Sequence, residues 1–187
     1  MNIILIGYRG SGKTSVGREL AKLLNRPLFD SDRMVFAKTG RTVREIVEAG
    51  GWPAFREAEK SVIGELAALD QAVISLGGGA VLDADNVAAL EERGTFVWLT
   101  ADARTLAARL ENERNESGQR PSLTGAGALD EIDRVLAERL PVYEAVADLA
   151  VDTVGKSPAG IAAEIAAALP EGREHRARKK GRKPHVR

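Results

Sequence analysis

The sequence predicts an α/β protein, a doubly wound three-layer sandwich around a central parallel sheet of five strands. Three observations carry that reading. Short, continuously apolar runs such as Ile3-Ile4-Leu5-Ile6 read as strands buried on both faces. Helical stretches alternate with those runs over residues 1–170. A glycine-rich loop joins the first strand to the first helix, at the end of the sheet where such folds hold ligands.

Each element has its own signal. Ile3–Ile6 is the first strand, and Ser15–Leu24 is the first helix, ended by Asn25-Arg26-Pro27. Leu28-Phe29-Asp30 is a short strand ending in a carboxylate. Two helices follow, Asp32–Lys38 and Val43–Ala49, separated by Thr39-Gly40-Arg41-Thr42. Gly50-Gly51-Trp52-Pro53 breaks the chain again, with Pro53 suited to the first turn of a helix running to Leu69. Ala72–Leu76 is a strand running into Gly77-Gly78-Gly79. Ala84–Arg93 is a helix closed by Gly94, Thr95–Leu99 a strand, and Ala103–Leu110 a helix. Residues Glu111–Gly127 are polar and too long for a routine connection, which marks a lid. Leu129–Ala147, Leu149–Asp152 and Pro158–Leu169 supply the last helix–strand–helix unit.

Composition narrows the class. The chain of 187 residues suits one domain with a sizeable core. With no cysteine there are neither disulfides nor thiolate metal sites, as expected in a reducing compartment. No apolar run approaches a membrane span, and Met1 leads straight into the first strand without room for a signal peptide, so a cytoplasmic protein is expected. Equal numbers of basic and acidic residues hide an asymmetry. Residues 171–187 hold eight Lys or Arg against two Glu, while residues 1–170 hold 19 basic and 25 acidic residues. The tail lacks apolar periodicity and is expected to be disordered. Without aromatics it predicts weak binding to polyanions at most, and no specific nucleic-acid recognition.

The chemistry concentrates in Gly7-Tyr8-Arg9-Gly10-Ser11-Gly12-Lys13-Thr14, a Walker A pattern in its strand–turn–helix context. Backbone N–H groups and the helix N-terminus cradle a polyphosphate, so Gly10, Ser11, Gly12, Lys13, Thr14 and Ser15 are the expected contacts of a nucleoside triphosphate. Lys13 reaches the outer phosphates and the Thr14 hydroxyl ligates Mg²⁺. Asp30 and Asp32 follow the second strand on the same rim. One is placed to hold a Mg²⁺ water and the other to accept a proton, although a helix cap at Asp32 reads equally well. Gly77–Gly79 either makes an ordinary turn or lets the backbone approach a ligand closely.

These motifs, with Phe55-Arg56-Glu57, Arg120-Pro121, Glu138-Arg139-Leu140-Pro141-Val142-Tyr143 and Val151-Asp152-Thr153 before Pro158, resemble the shikimate kinase family in order and spacing. The resemblance covers residues 1–170 and implies a P-loop NTPase fold of the nucleoside monophosphate kinase kind. It implies an ATP- and Mg²⁺-dependent enzyme, expected as a monomer, that phosphorylates the 3-hydroxyl of shikimate. By that resemblance Asp30 sits near Mg²⁺ through water, and Asp32 grips the ring hydroxyls and favours deprotonation of the attacking one. Arg56 and Arg139 hold the shikimate carboxylate, Gly78 and Gly79 wall the substrate, and Arg120 is the lid arginine. Arg109 and Pro158 flank adenine. Two planar guanidinium donors suit a small carboxylated polyol. A gluconate-type kinase on the same fold and a non-catalytic sensor of nucleotide or shikimate stay open as alternatives. A GTPase switch lacks its Asn-Lys-x-Asp motif here.

Overall fold

The structure, a computed structural model, describes residues 1–117 and 128–169. Arg120, most of the predicted lid and the basic tail lie outside the described residues.

Five parallel strands form one sheet in the order β2-β3-β1-β4-β5. They are β1 (Asn2–Ile6), β2 (Leu28–Asp30), β3 (Val73–Ser75), β4 (Gly94–Thr100) and β5 (Leu149–Asp152). Strand β1 lies at the centre, with Ile4 opposite both Ile74 and Phe96. Successive side chains of a strand face opposite ways, and β1 shows what that does. Ile3 and Leu5 pack with Val16, Leu20, Ile161 and Ile165 of α1 (Lys13–Leu24) and α7 (Pro158–Ala168). Ile4 and Ile6 face the other layer, with Val62, Ile63 and Leu66 of α3 (Val43–Ala67) and Tyr143 of α6 (Ala128–Val146). Ile4 is fully buried, and cutting such a residue to alanine costs about 2–5 kcal/mol. A third, smaller cluster joins Tyr8 to Leu106 of α5 (Ala103–Ser117) and to Ile132 and Val135 of α6.

The helix ends are locally specified, with three departures from expectation. Thr42 and Glu45 form a reciprocal capping box at the start of α3. The predicted helices over 43–49 and 53–69 form one continuous element, broken only at Gly51, whose φ of 72° lies in the left-handed region. Pro53 follows that break, where its missing N–H costs nothing. Helix α5 continues through Ser117, well into the predicted lid. Apolar periodicity stops at Leu110, but three glutamates and Arg114 within residues 111–117 favour helix. Gly94 does not close the preceding helix, α4 (Ala84–Glu91); it opens β4 opposite Asn2. A Cβ there falls 2.7 Å from the Asn2 carbonyl oxygen, so the close strand pairing excludes a side chain. No helix among the described residues is long and apolar enough to cross a membrane.

Candidate active site

The phosphate loop leaves β1 and enters α1 through Gly12, which has φ 91° and caps the helix without a side chain. That left-handed turn is why glycine stands there. The Lys13 ammonium is buried and bends back along the loop, donating to the Gly7 oxygen at 2.9 Å and the Tyr8 oxygen at 2.8 Å. Ser11 Oγ lies 3.5 Å from the same ammonium. The cation therefore sits inside the nest, where a phosphate oxygen competes with these acceptors.

Asp30 and Asp32 divide the work differently from the cap expected at Asp32. The cap of α2 (Ser31–Thr39) is Asp30, whose carboxylate accepts from the Asp32 and Arg33 backbone N–H groups at 3.1 and 3.3 Å. Its second oxygen accepts from the Thr14 hydroxyl at 2.9 Å. Thr14 and Asp30 thus form a compact all-oxygen donor pair, the chemistry a hard divalent cation takes. Asp32, relieved of capping, lines the cleft beside the loop.

Two arginines from distant elements line that same cleft, against neighbouring glycines. Arg139 of α6 donates Nη1 to the Gly78 oxygen at 3.2 Å, and its guanidinium lies 5.8 Å from the centre of the Tyr8 ring. Arg56 of α3 lies 5.7 Å from the Trp52 ring and 5.3 Å from the Phe55 ring, and pairs with buried Glu59. A Cβ at Gly79 falls 2.2 Å from Arg56 Nη2, so this guanidinium occupies the space a side chain would need. The triple glycine makes a turn, closed by Ala80 N–H donating to the Gly77 oxygen at 3.0 Å, and the bareness of Gly79 makes room for Arg56.

Glu59, Arg9, Trp52 and Val43 complete the lining and were not singled out from the sequence. The Glu59 signal was available, since it stands three residues after Arg56 on one helix and so faces it. The quoted Phe55-Arg56-Glu57 motif stops two residues short of it. Burial pushes the Glu59 carboxyl above its ordinary value, with Arg56 and Arg139 pulling the other way. A Cβ at Gly77 falls 2.7 Å from Glu59 Oε1 and 3.0 Å from Asp32 Oδ1, so both carboxylates converge on that bare glycine.

Arg109 donates to Thr153 Oγ1 at 2.9 Å and to the Thr153 carbonyl at 2.8 Å, and lies 3.4 Å from the Gly10 oxygen. It ties α5 to the loop after β5. Pro158 opens α7 behind a Ser157 cap. Neither belongs to the cleft that holds Asp32, Arg56 and Arg139.

A phosphate loop at the end of a central parallel strand, with a carboxylate and paired arginines in the adjoining cleft, defines a P-loop kinase of a small acidic molecule. The family model for shikimate kinase matches residues 9–170. A shikimate kinase of Syntrophus aciditrophicus is 42% identical over 172 residues, covering 88% of each chain. The structure of the Acinetobacter baumannii shikimate kinase in complex with shikimate aligns with a TM-score of 0.82 at 35% identity, covering 88% of this chain and 90% of that one. The shikimate kinase of Aquifex aeolicus aligns with a TM-score of 0.75 at 33% identity, covering 89% and 95%. The chain belongs to the shikimate kinase family.

Proposed function

We propose that this protein transfers the γ-phosphoryl group of ATP to the 3-hydroxyl of shikimate, giving shikimate 3-phosphate and ADP for aromatic amino-acid synthesis. The observation that carries the reading is the pair Arg56 and Arg139, set against adjacent glycines in a cleft beside the phosphate loop. Two guanidinium forks from different elements suit one carboxylate gripped from two directions.

Placement supports the following roles. Arg56 and Arg139 hold the carboxylate, which turns the ring hydroxyls toward Asp32 and the loop. Asp32 accepts the proton of the 3-hydroxyl as its oxygen bonds to the γ-phosphorus, and the bond from that phosphorus to the β,γ-bridging oxygen breaks. Lys13 exchanges carbonyl partners for phosphate oxygens and balances the charge that gathers there. Gly10, Ser11, Gly12, Thr14 and Ser15 hold the phosphates. Thr14 would hold Mg²⁺ directly and Asp30 through water; when bound, the ion neutralises phosphate charge. Arg120, outside the described residues, is assigned from the sequence to the phosphates, and Arg109 and Pro158 to the adenine side. Gly78 and Gly79 wall the acceptor. The enzyme so read is a cytoplasmic monomer.

An ATP turnover assay with and without shikimate is the test, with gluconate as the competing acceptor. Shikimate-dependent ADP release is the expected result. Equal turnover with gluconate, or none with either acid, overturns the reading.

A further inference from the structure

Three consecutive glycines have no side chains with which to hold their own conformation, yet both arginines rest on them. Ala80 N–H donates to the Gly77 oxygen at 3.0 Å and Gly77 N–H to Ser31 Oγ at 2.8 Å, but neither bond reaches the Gly78 carbonyl, which has to be fixed from outside the turn. We propose that Tyr143 does so, as a positioning residue for the acceptor carboxylate: by holding the Gly78 carbonyl it sets the separation of Arg56 and Arg139. The inference rests on shikimate being the acceptor.

Tyr143 is fully buried in α6, with its ring stacked on Trp98 of β4 at a centroid distance of 5.8 Å and an interplanar angle of 30°. The ring is thereby referenced to the sheet. Its hydroxyl donates to the Gly78 oxygen. That oxygen's second lone pair takes Arg139 Nη1 at 3.2 Å, so one carbonyl is held by two residues one helical turn apart. The Gly78–Gly79 peptide is a rigid plane that runs to the Gly79 Cα, so fixing its oxygen also fixes that Cα, whose side-chain space Arg56 occupies. One peptide therefore spaces the two guanidiniums, and the Tyr143 hydroxyl is its anchor to the sheet. Burial raises the phenol above its ordinary 10.0, which keeps it a hydrogen donor wherever the enzyme is assayed.

Tyr143→Phe removes that hydroxyl and keeps the ring and its stack. Arg139 still satisfies the Gly78 oxygen, so the variant folds. On the full-length protein, the KM for shikimate rises about three- to tenfold, the scale of one net hydrogen bond. Both kcat and the KM for ATP stay within about twofold, because the reacting atoms are untouched. With Arg139 already cut to alanine there is no pair of guanidiniums left to space, so adding Tyr143→Phe weakens shikimate binding no further. An unchanged shikimate KM, an equal rise for both substrates, or additive losses in the double variant overturns the inference. Wild-type turnover of shikimate with a variant that matches it sinks this inference alone. A wild type inert toward shikimate sinks it together with the proposed function.

Discussion

The two halves of the proposed site are built in opposite ways. The phosphate half is a run of consecutive residues, Gly7 to Thr14, whose ligands are largely backbone groups and whose lysine folds onto its own loop. The acceptor half is made of side chains from α2, α3 and α6 meeting at a glycine turn after β3. A backbone nest depends on local conformation and tolerates changes elsewhere. A side-chain clamp depends on packing between elements far apart in the chain, so it can be tuned or lost piecemeal.

The comparison predicts that the largest loss comes from the phosphate half. Lys13→Ala removes the cation that meets charge on the transferred group, so turnover should fall by about 10³-fold or more. Shikimate binding should persist. A folded variant that keeps most of its activity would remove Lys13 from the catalytic machinery and break the comparison at its stronger end.

Asp32→Asn comes next. It preserves shape and hydrogen bonding but cannot take a proton, and kcat should drop by about the 10²–10⁴-fold typical of a lost general base. Nucleotide affinity, read by titration calorimetry, should not change. A near-normal rate would reduce Asp32 to holding the substrate in place.

Arg139→Ala tests the independence of the two halves. Loss of one buried, charged hydrogen-bond partner costs about 2–5 kcal/mol, and here it should appear in shikimate binding alone. Arg139→Lys keeps the charge without the fork and should not restore affinity. Equal weakening of ATP and shikimate would mean that the halves are one structural unit.

The smallest effect belongs to Glu59 and concerns stability. Its carboxyl is raised mainly by burial, opposed by Arg56 and Arg139 and assisted by Asp83. Between the ordinary value of 4.5 and the raised native value, the folded protein binds more protons than the unfolded chain. This group's contribution is therefore full below 4.5 and is lost as pH rises through the raised value. Thermal melts of wild type and Glu59→Gln across that window should show the wild type losing ground relative to the variant as pH rises. A difference running the other way would mean that the pairing with Arg56 outweighs burial.

The legibility of the site follows the same division. Strand positions and the phosphate loop were readable, because each depends on neighbours within a few residues. Arg56 and Arg139 were found through family resemblance; taken singly, each reads as an ordinary surface or paired arginine. Trp52 and Val43 carried no local mark of belonging to the cleft, Arg9 carried only its place in the phosphate loop, and Glu59 only its helical spacing from Arg56.

By itself the sequence determined the layered α/β class, the helix boundaries set by Asn25, Gly40 and the Thr42 box, and the phosphate nest. All of these arise from short-range sterics and hydrogen bonding within one stretch of chain. Tertiary structure decided that Asp32 shares a cleft with Arg56 and Arg139, and that Gly79 gives its side-chain space to Arg56. It also decided that Tyr143 and Arg139 share the Gly78 carbonyl. Those contacts join residues up to 65 positions apart, and only the packing of α3 and α6 on one face of the sheet brings them together.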